Sequence, residues 1–153
     1  MSAASEATSV RTLECVLDTM IPQSADGSFP AAGALGLAAA VSERFGDAAP
    51  LVAQGLSALN ELAAEHGASD FAALAADDRA QLLEQFAVQQ PTFLPLLSFH
   101  TYAVYYQHPR VREALGLGPR PPFPEGYELE QGDLSLLDGV RARPRFYRET
   151  GSA

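Results

Sequence analysis

Apolar residues recur along this chain at the spacing of helices, and no stretch keeps the strict alternation of a strand long enough for a sheet. Leu13, Val16, Leu17 and Met20 fall at i, i+3, i+4 and i+7, which predicts a first helix over about residues 8–21. Pro22 stops it, because a proline pushes the residue before it out of the helical region. After the loop Gln23-Ser-Ala-Asp-Gly-Ser-Phe29, Pro30 suits the first turn of a second helix, where its missing N–H has no partner to lose. That helix is expected to reach Phe45, with Leu37, Val41 and Phe45 inward, and to be weakened at Gly33 and Gly36. A third helix is expected from Ala49 and Pro50, with Leu56, Leu59 and Leu62 inward and Gly67 as its break. Ser69 to Leu74 reads as a single turn that buries Phe71 and Leu74. Asp77 or Asp78 can cap a fourth helix, Arg79 to Gln89, whose Leu82, Leu83 and Phe86 point inward.

The fifth helix begins after Thr92, which can cap it, and Pro95 is tolerated there because it lies in the first turn. From Phe93 to Tyr106 it is apolar on nearly every side, so it is expected to be covered by protein all round. Pro109 interrupts, and Arg110 to Leu115 makes one or two further turns before Gly116. The run Gly118-Pro-Arg-Pro-Pro-Phe-Pro-Glu-Gly-Tyr127 follows and cannot build a core of its own. Residues 117–153 therefore read as an extended proline-rich arm with one short turn at Leu134 to Asp138, and so long a loop is usually functional or disordered. The fold expected is all-α. A lead over 1–7 is taken as flexible, residues 8–116 form a compact array of five or six helices, and the arm over 117–153 completes the chain.

Length and charge narrow the functional classes. A single domain of 153 residues can bury ~68–70% of its unfolded surface, enough for a core without covalent staples. The single cysteine, Cys15, excludes an internal disulfide and a cysteine-based zinc cluster, and its place on an apolar helix points to packing. Residues 1–90 carry 12 Asp/Glu against 3 Arg, whereas residues 91–153 carry 7 of each sign. Such an acidic chain argues against nucleic-acid binding through phosphates. All ten basic residues are arginine, and four lie in Arg141-Ala-Arg-Pro-Arg-Phe-Tyr-Arg148. That cluster has an interface composition, although an ordinary basic C-terminus accounts for it equally well. Residues 1–11 lack the apolar region of a secretory signal and lack a twin-arginine pair, so a cytoplasmic location is expected. Phe93 to Tyr106 is too short to span a bilayer.

No catalytic, cofactor-binding or metal-binding constellation stands out. His100 and His108 would lie ~12 Å apart along one continuous helix, too far to share a metal whose bonds to nitrogen are ~2 Å. His100 sits on the stripe Phe93, Leu97, His100, Val104 and is expected to be a hydrogen-bonded core histidine; His66 suits a helix end. Tyr102, Tyr105 and Tyr106 could form a sugar-stacking platform, with core or interface packing as the plainer reading. No Gly-rich phosphate fingerprint follows a strand, so no flavin or nicotinamide site is expected in the chain. There is no Cys-x-x-Cys-His for covalent haem.

One resemblance joins several weak pieces in order. They are Leu17-Asp-Thr-Met-Ile-Pro22, the Gly27…Pro30-Ala-Ala-Gly-Ala34 entry, and Phe71-Ala-Ala-Leu74 followed by Arg79 and Leu82-Leu83. Then come Phe93 with the aromatic helix to Tyr106, Pro109…Leu115-Gly116, and Pro124-Glu-Gly-Tyr127. In this order, over about residues 12–127, the chain resembles the gluconate 2-dehydrogenase subunit 3 family. The resemblance implies a small helical, non-catalytic subunit. Its partner would be a large flavin-dependent dehydrogenase of the glucose-methanol-choline type, which carries the FAD and the catalytic histidine and acts on sugars or sugar acids. Many such small subunits carry a twin-arginine signal, which this sequence lacks, so an export role is not carried over. The expected activity of this chain is therefore to bind and stabilise the FAD-dependent subunit. A free-standing helical enzyme using His100 with the nearby tyrosines, and a helical adaptor outside redox chemistry, are the alternatives. The partner-binding candidates are Tyr102, Tyr106, Phe123, Tyr127, Arg141, Arg143, Arg145, Phe146 and Tyr147.

Overall fold

A computed structural model describes residues 3–119, 126 and 130–144, with side chains described from Ala7 onward. The described residues are helical and contain no strand, so the all-α class holds. The chain divides into two compact units, Met1–Pro121 and Pro122–Ala153. The first holds helices α1 (Ala3–Met20), α2 (Ala38–Glu43), α3 (Ala49–Glu65), α4 (Ala76–Gln89), α5 (Phe93–Tyr105) and α6 (Pro109–Ala114). The second holds a 3-10 turn, Leu134–Leu137, followed by α7 (Asp138–Arg141). This is the place where the sequence predicts a turn in the arm.

Helix α1 begins at Ala3, five residues before the start that its apolar stripe predicts. The stripe marks only the part with a buried face: Leu13, Val16 and Leu17 are buried, and Met20 packs at the edge of the core. The expected continuous second helix from Pro30 to Phe45 is instead broken in two, a 3-10 turn Gly33–Leu35 and then α2. Asp18, fifteen residues upstream, supplies the reason. Its Oδ1 accepts the Gly33 and Ala34 N–H groups at 2.7 and 3.1 Å and so ties this turn to α1. Gly33 lies so close to α1 that a Cβ there would collide with the Glu14 carbonyl oxygen and the Asp18 carboxylate. Gly36 then turns the chain with φ of +65°, a conformation that glycine adopts without strain.

Two expected caps are corrected. Helix α4 starts at Ala76, so Asp77 and Asp78 lie inside its first turn, where carboxylates favour the positive end of the helix dipole. Thr92 precedes α5 in a helical conformation and makes no side-chain cap bond. Other boundaries follow the punctuation: α3 starts at Ala49 with Pro50 in its first turn, and Gly67 follows its end with φ of +84°. Asp70 caps the 3-10 turn Phe71–Ala73 by accepting the Ala73 N–H at 2.8 Å.

The core of the first unit lies where α1, α3, α4 and α5 converge. Leu17, Leu56, Leu83, Phe86 and Leu97 are all buried, as their spacing predicts. Asn60 on α3 links three elements through one oxygen. Its Oδ1 accepts the Thr12 hydroxyl of α1 at 3.1 Å and the Phe71 N–H at 3.0 Å. Gly55 allows α5 to approach α3, because the Phe93 ring occupies the space that a Cβ would fill. Phe93 in turn meets Phe86 edge to face, with centroids 5.3 Å apart.

Replacing Leu83 by alanine removes a buried side chain from this junction. The expected loss is ~2–5 kcal/mol in urea denaturation, the range of buried leucines elsewhere. A loss below ~0.5 kcal/mol would mean that Leu83 contributes no more than a surface residue.

Candidate partner-docking surface

Helix α5 is held on one side and open on the other. Phe93, Leu97, Thr101 and Tyr105 form its buried side. The Tyr105 hydroxyl donates to the Pro30 carbonyl at 2.8 Å, across 75 residues of sequence. Burial, with a smaller contribution from Tyr106, raises the Tyr105 pKa above the usual tyrosine value. With this side fixed inward, the 100° step of a helix turns Pro95, Phe99, Tyr102 and Tyr106 outward along one stripe. Phe99 is 68% exposed, Tyr102 47% and Tyr106 50%. The expectation that α5 is covered on every side therefore fails within this unit. There is no charged residue between Phe93 and Tyr105.

Two of the sequence candidates, Tyr102 and Tyr106, fall on this stripe with ring centroids 6.0 Å apart. Their planes are tilted by 44°, so they do not make one flat face for a sugar ring, and Tyr105 is turned into the core. Phe99 belongs to the same face and was not among the candidates. The signal that could have found it is its place four residues after Pro95 and three before Tyr102.

The histidines are separated. His66 ends α3, with Nδ1 2.9 Å from the Leu62 carbonyl oxygen. His108 caps α6, its Nδ1 accepting the Arg110 N–H at 3.3 Å. His100 differs from its expectation as a hydrogen-bonded core residue. Its Nδ1 is buried and makes no hydrogen bond among the described residues. The ring is held edge to face by Phe45 at 5.5 Å and Phe99 at 5.2 Å. Among the described residues, no group of three or more His, Cys, Asp or Glu is placed to hold a metal ion.

Two of the arm candidates are described, both in the second unit. Arg141 and Arg143 are exposed, and Arg141 pairs with Asp138 at 3.2 Å within α7. Phe123, Tyr127, Arg145, Phe146 and Tyr147 lie outside the described residues. Four aliphatics of the second unit that the sequence reading did not select, Leu134, Leu136, Leu137 and Val140, are exposed.

Residues 7–119 match the family model described as gluconate 2-dehydrogenase subunit 3. The chain belongs to the gluconate 2-dehydrogenase subunit 3 family. The match ends before Pro124-Glu-Gly-Tyr127, so that piece of the resemblance lies outside it. No curated protein and no solved structure matches the chain. The family's name is that of one subunit of a dehydrogenase complex, and among the described residues no helix is long and apolar enough to cross a membrane.

The structure gives physical content to the pieces that carry the family resemblance. Leu17-Asp-Thr-Met-Ile-Pro22 and Pro30-Ala-Ala-Gly-Ala34 meet in space. Asp18 binds Gly33 and Ala34, the Ala32 N–H donates to the Ile21 carbonyl at 3.0 Å, and Tyr105 closes on Pro30. The aromatic helix and the two proline-bearing segments are thus one joint.

Tyr105→Phe keeps the ring but leaves the Pro30 carbonyl without its donor. We expect a loss of ~1–3 kcal/mol in denaturant unfolding. The raised pKa also gives an alkaline signature. Stability from the neutral phenol is complete below ~10 and is lost as pH rises through the folded-state value. Tyr105→Phe should flatten the stability profile in that range, and an unchanged profile would show that Tyr105 does not cause it.

Proposed function

We propose that this chain is the non-catalytic small subunit of a FAD-dependent sugar or glycoside oxidoreductase, and that it binds and stabilises the large subunit. The flavin and the catalytic residues belong to the partner in this reading. The observation that carries it is the charge-free helix α5, which presents Phe99, Tyr102 and Tyr106 to solvent in a chain of a dehydrogenase-subunit family. Interface cores are depleted of charge and enriched in Tyr and Phe, and a stripe of this kind supplies rigid contact area. A separate groove between α2 and α5 is lined by Leu37, Ala40, Ala103 and Val104. Glu43, Arg44, Gln107 and His108 line the same groove and supply a polar rim.

Co-expression of the full chain with the flavin-dependent subunit tests the proposal. The isolated chain should show no flavin absorbance and oxidise no sugar, and the co-purified complex should show both. Replacing Tyr102 and Tyr106 together by alanine should weaken the complex by at least ~30-fold, or ~2 kcal/mol, while the chain keeps its helical content. Stoichiometric FAD in the isolated chain would overturn the non-catalytic reading. An unweakened complex would move the docking face elsewhere.

The arm is proposed as a second docking element. Its prolines already fix φ, which lowers the entropy lost on binding, and Phe123, Tyr127, Phe146 and Tyr147 have the size of interface anchors. Arg141, Arg143, Arg145 and Arg148 can pair with carboxylates, although exposed pairs add little affinity. A chain ending after Gly118 should fold normally and lose affinity for the large subunit. Full retention of affinity by that shortened chain would remove the arm from the interface.

A further inference from the structure

We infer that the groove between α2 and α5 binds a small zwitterion, a free amino acid with an aliphatic side chain. The inference stands apart from the docking role proposed for α5, because it concerns the isolated chain. The groove has a volume of about 410 Å³, within the ~300–1,000 Å³ of ordinary small-molecule sites. The buried Leu37 joins Ala40, Ala103 and Val104 as its apolar lining. Glu43, Arg44, Gln107 and His108 complete it.

The four polar residues divide evenly into donors and acceptors. Arg44 offers a guanidinium, which has donors only. His108 caps α6, its Nδ1 accepting the Arg110 N–H at 3.3 Å, so the neutral ring carries its proton on Nε2 and offers a second donor. Glu43 offers a carboxylate. Gln107 donates its Nε2 to the Ala103 carbonyl at 2.6 Å, which leaves Oε1 as a second acceptor. Among the described residues, neither Glu43 nor Arg44 has an ion-pair or side-chain hydrogen-bond partner, so two opposite charges line the groove unpaired. That combination selects the ligand. A carboxylate alone would meet Arg44 and His108 but be repelled by Glu43, and an ammonium alone would meet Glu43 and Gln107 but be repelled by Arg44. A molecule with both groups satisfies both sides through charge-assisted bonds. A third charge would lose hydration against Leu37, Ala40, Ala103 and Val104 without gaining a partner, so the rest of the ligand is aliphatic.

The test uses the full chain alone and three probes of one carbon skeleton: L-leucine, 4-methylpentanoate, which lacks the ammonium, and 3-methylbutylamine, which lacks the carboxylate. In an NMR titration, L-leucine should give saturable shifts of the Leu37 and Val104 methyl signals and the His108 ring signals, with a Kd of ~1 mM or tighter. Each single-charge probe should bind at least tenfold more weakly. Glu43→Gln should weaken L-leucine at least fivefold without weakening 4-methylpentanoate, and Arg44→Gln should weaken L-leucine at least fivefold without weakening 3-methylbutylamine. Both positions are exposed, so circular dichroism should show the fold of each variant retained. No saturable shift with L-leucine up to ~10 mM, or shifts that map to another part of the chain, would overturn the site. A single-charge probe that binds within twofold of L-leucine would overturn the zwitterion as its ligand, and so would either variant if it left L-leucine affinity within twofold. None of these results bears on whether Tyr102 and Tyr106 dock a large subunit, which the co-expression experiment decides.

Discussion

The hydrogen bond from the buried Tyr105 hydroxyl to the Pro30 carbonyl sets how helix α5 is presented. An unpaired buried carbonyl is costly, and Tyr105 removes that cost by joining the last turn of α5 to the entry of the segment before α2. That segment is fixed to α1 in turn by the Asp18 carboxylate on the Gly33 and Ala34 N–H groups. With Leu97, Thr101 and Tyr105 committed to the core, a helix has no rotational freedom left, and its opposite stripe must face outward. Buried bonding thus determines which aromatics are presented to solvent.

Charge separates the same molecule into two kinds of surface. Residues 1–90 carry the whole net charge of −9, which keeps the exposed sides of α1 to α4 hydrated. Residues 91–109 carry none, and they include the exposed Phe99, Tyr102 and Tyr106. A chain that expends polar residues on solubility elsewhere and leaves one aromatic stripe uncharged has the surface pattern of an assembly component. The family to which the chain belongs names such an assembly, a dehydrogenase complex.

The sequence was readable where a signal is local. Pro22, Gly67 and Pro109 mark element boundaries, and the 3.6-residue period of Leu13, Val16 and Leu17, or of Leu82, Leu83 and Phe86, selects residues that are buried. The break between Gly33 and α2 was not readable because it depends on Asp18, fifteen residues away. The role of Asn60 needs the approach of both α1 and the Phe71 turn. For α5 the difficulty was of another kind. With nearly every position apolar, periodicity gives no direction, and it is the burial of Phe93, Leu97, Thr101 and Tyr105 that shows which side is inner. His100 shows the same limit, since its position on an apolar stripe is visible in sequence but its two edge-to-face neighbours are not.

A structure of the full chain bound to the flavin-dependent subunit proposed as its partner tests the central claim most directly. The account predicts that Phe99, Tyr102 and Tyr106 become buried against the large subunit, with Tyr105 still bonded to Pro30 behind them. A complex in which the large subunit sits on another face and leaves these three rings in solvent would contradict it.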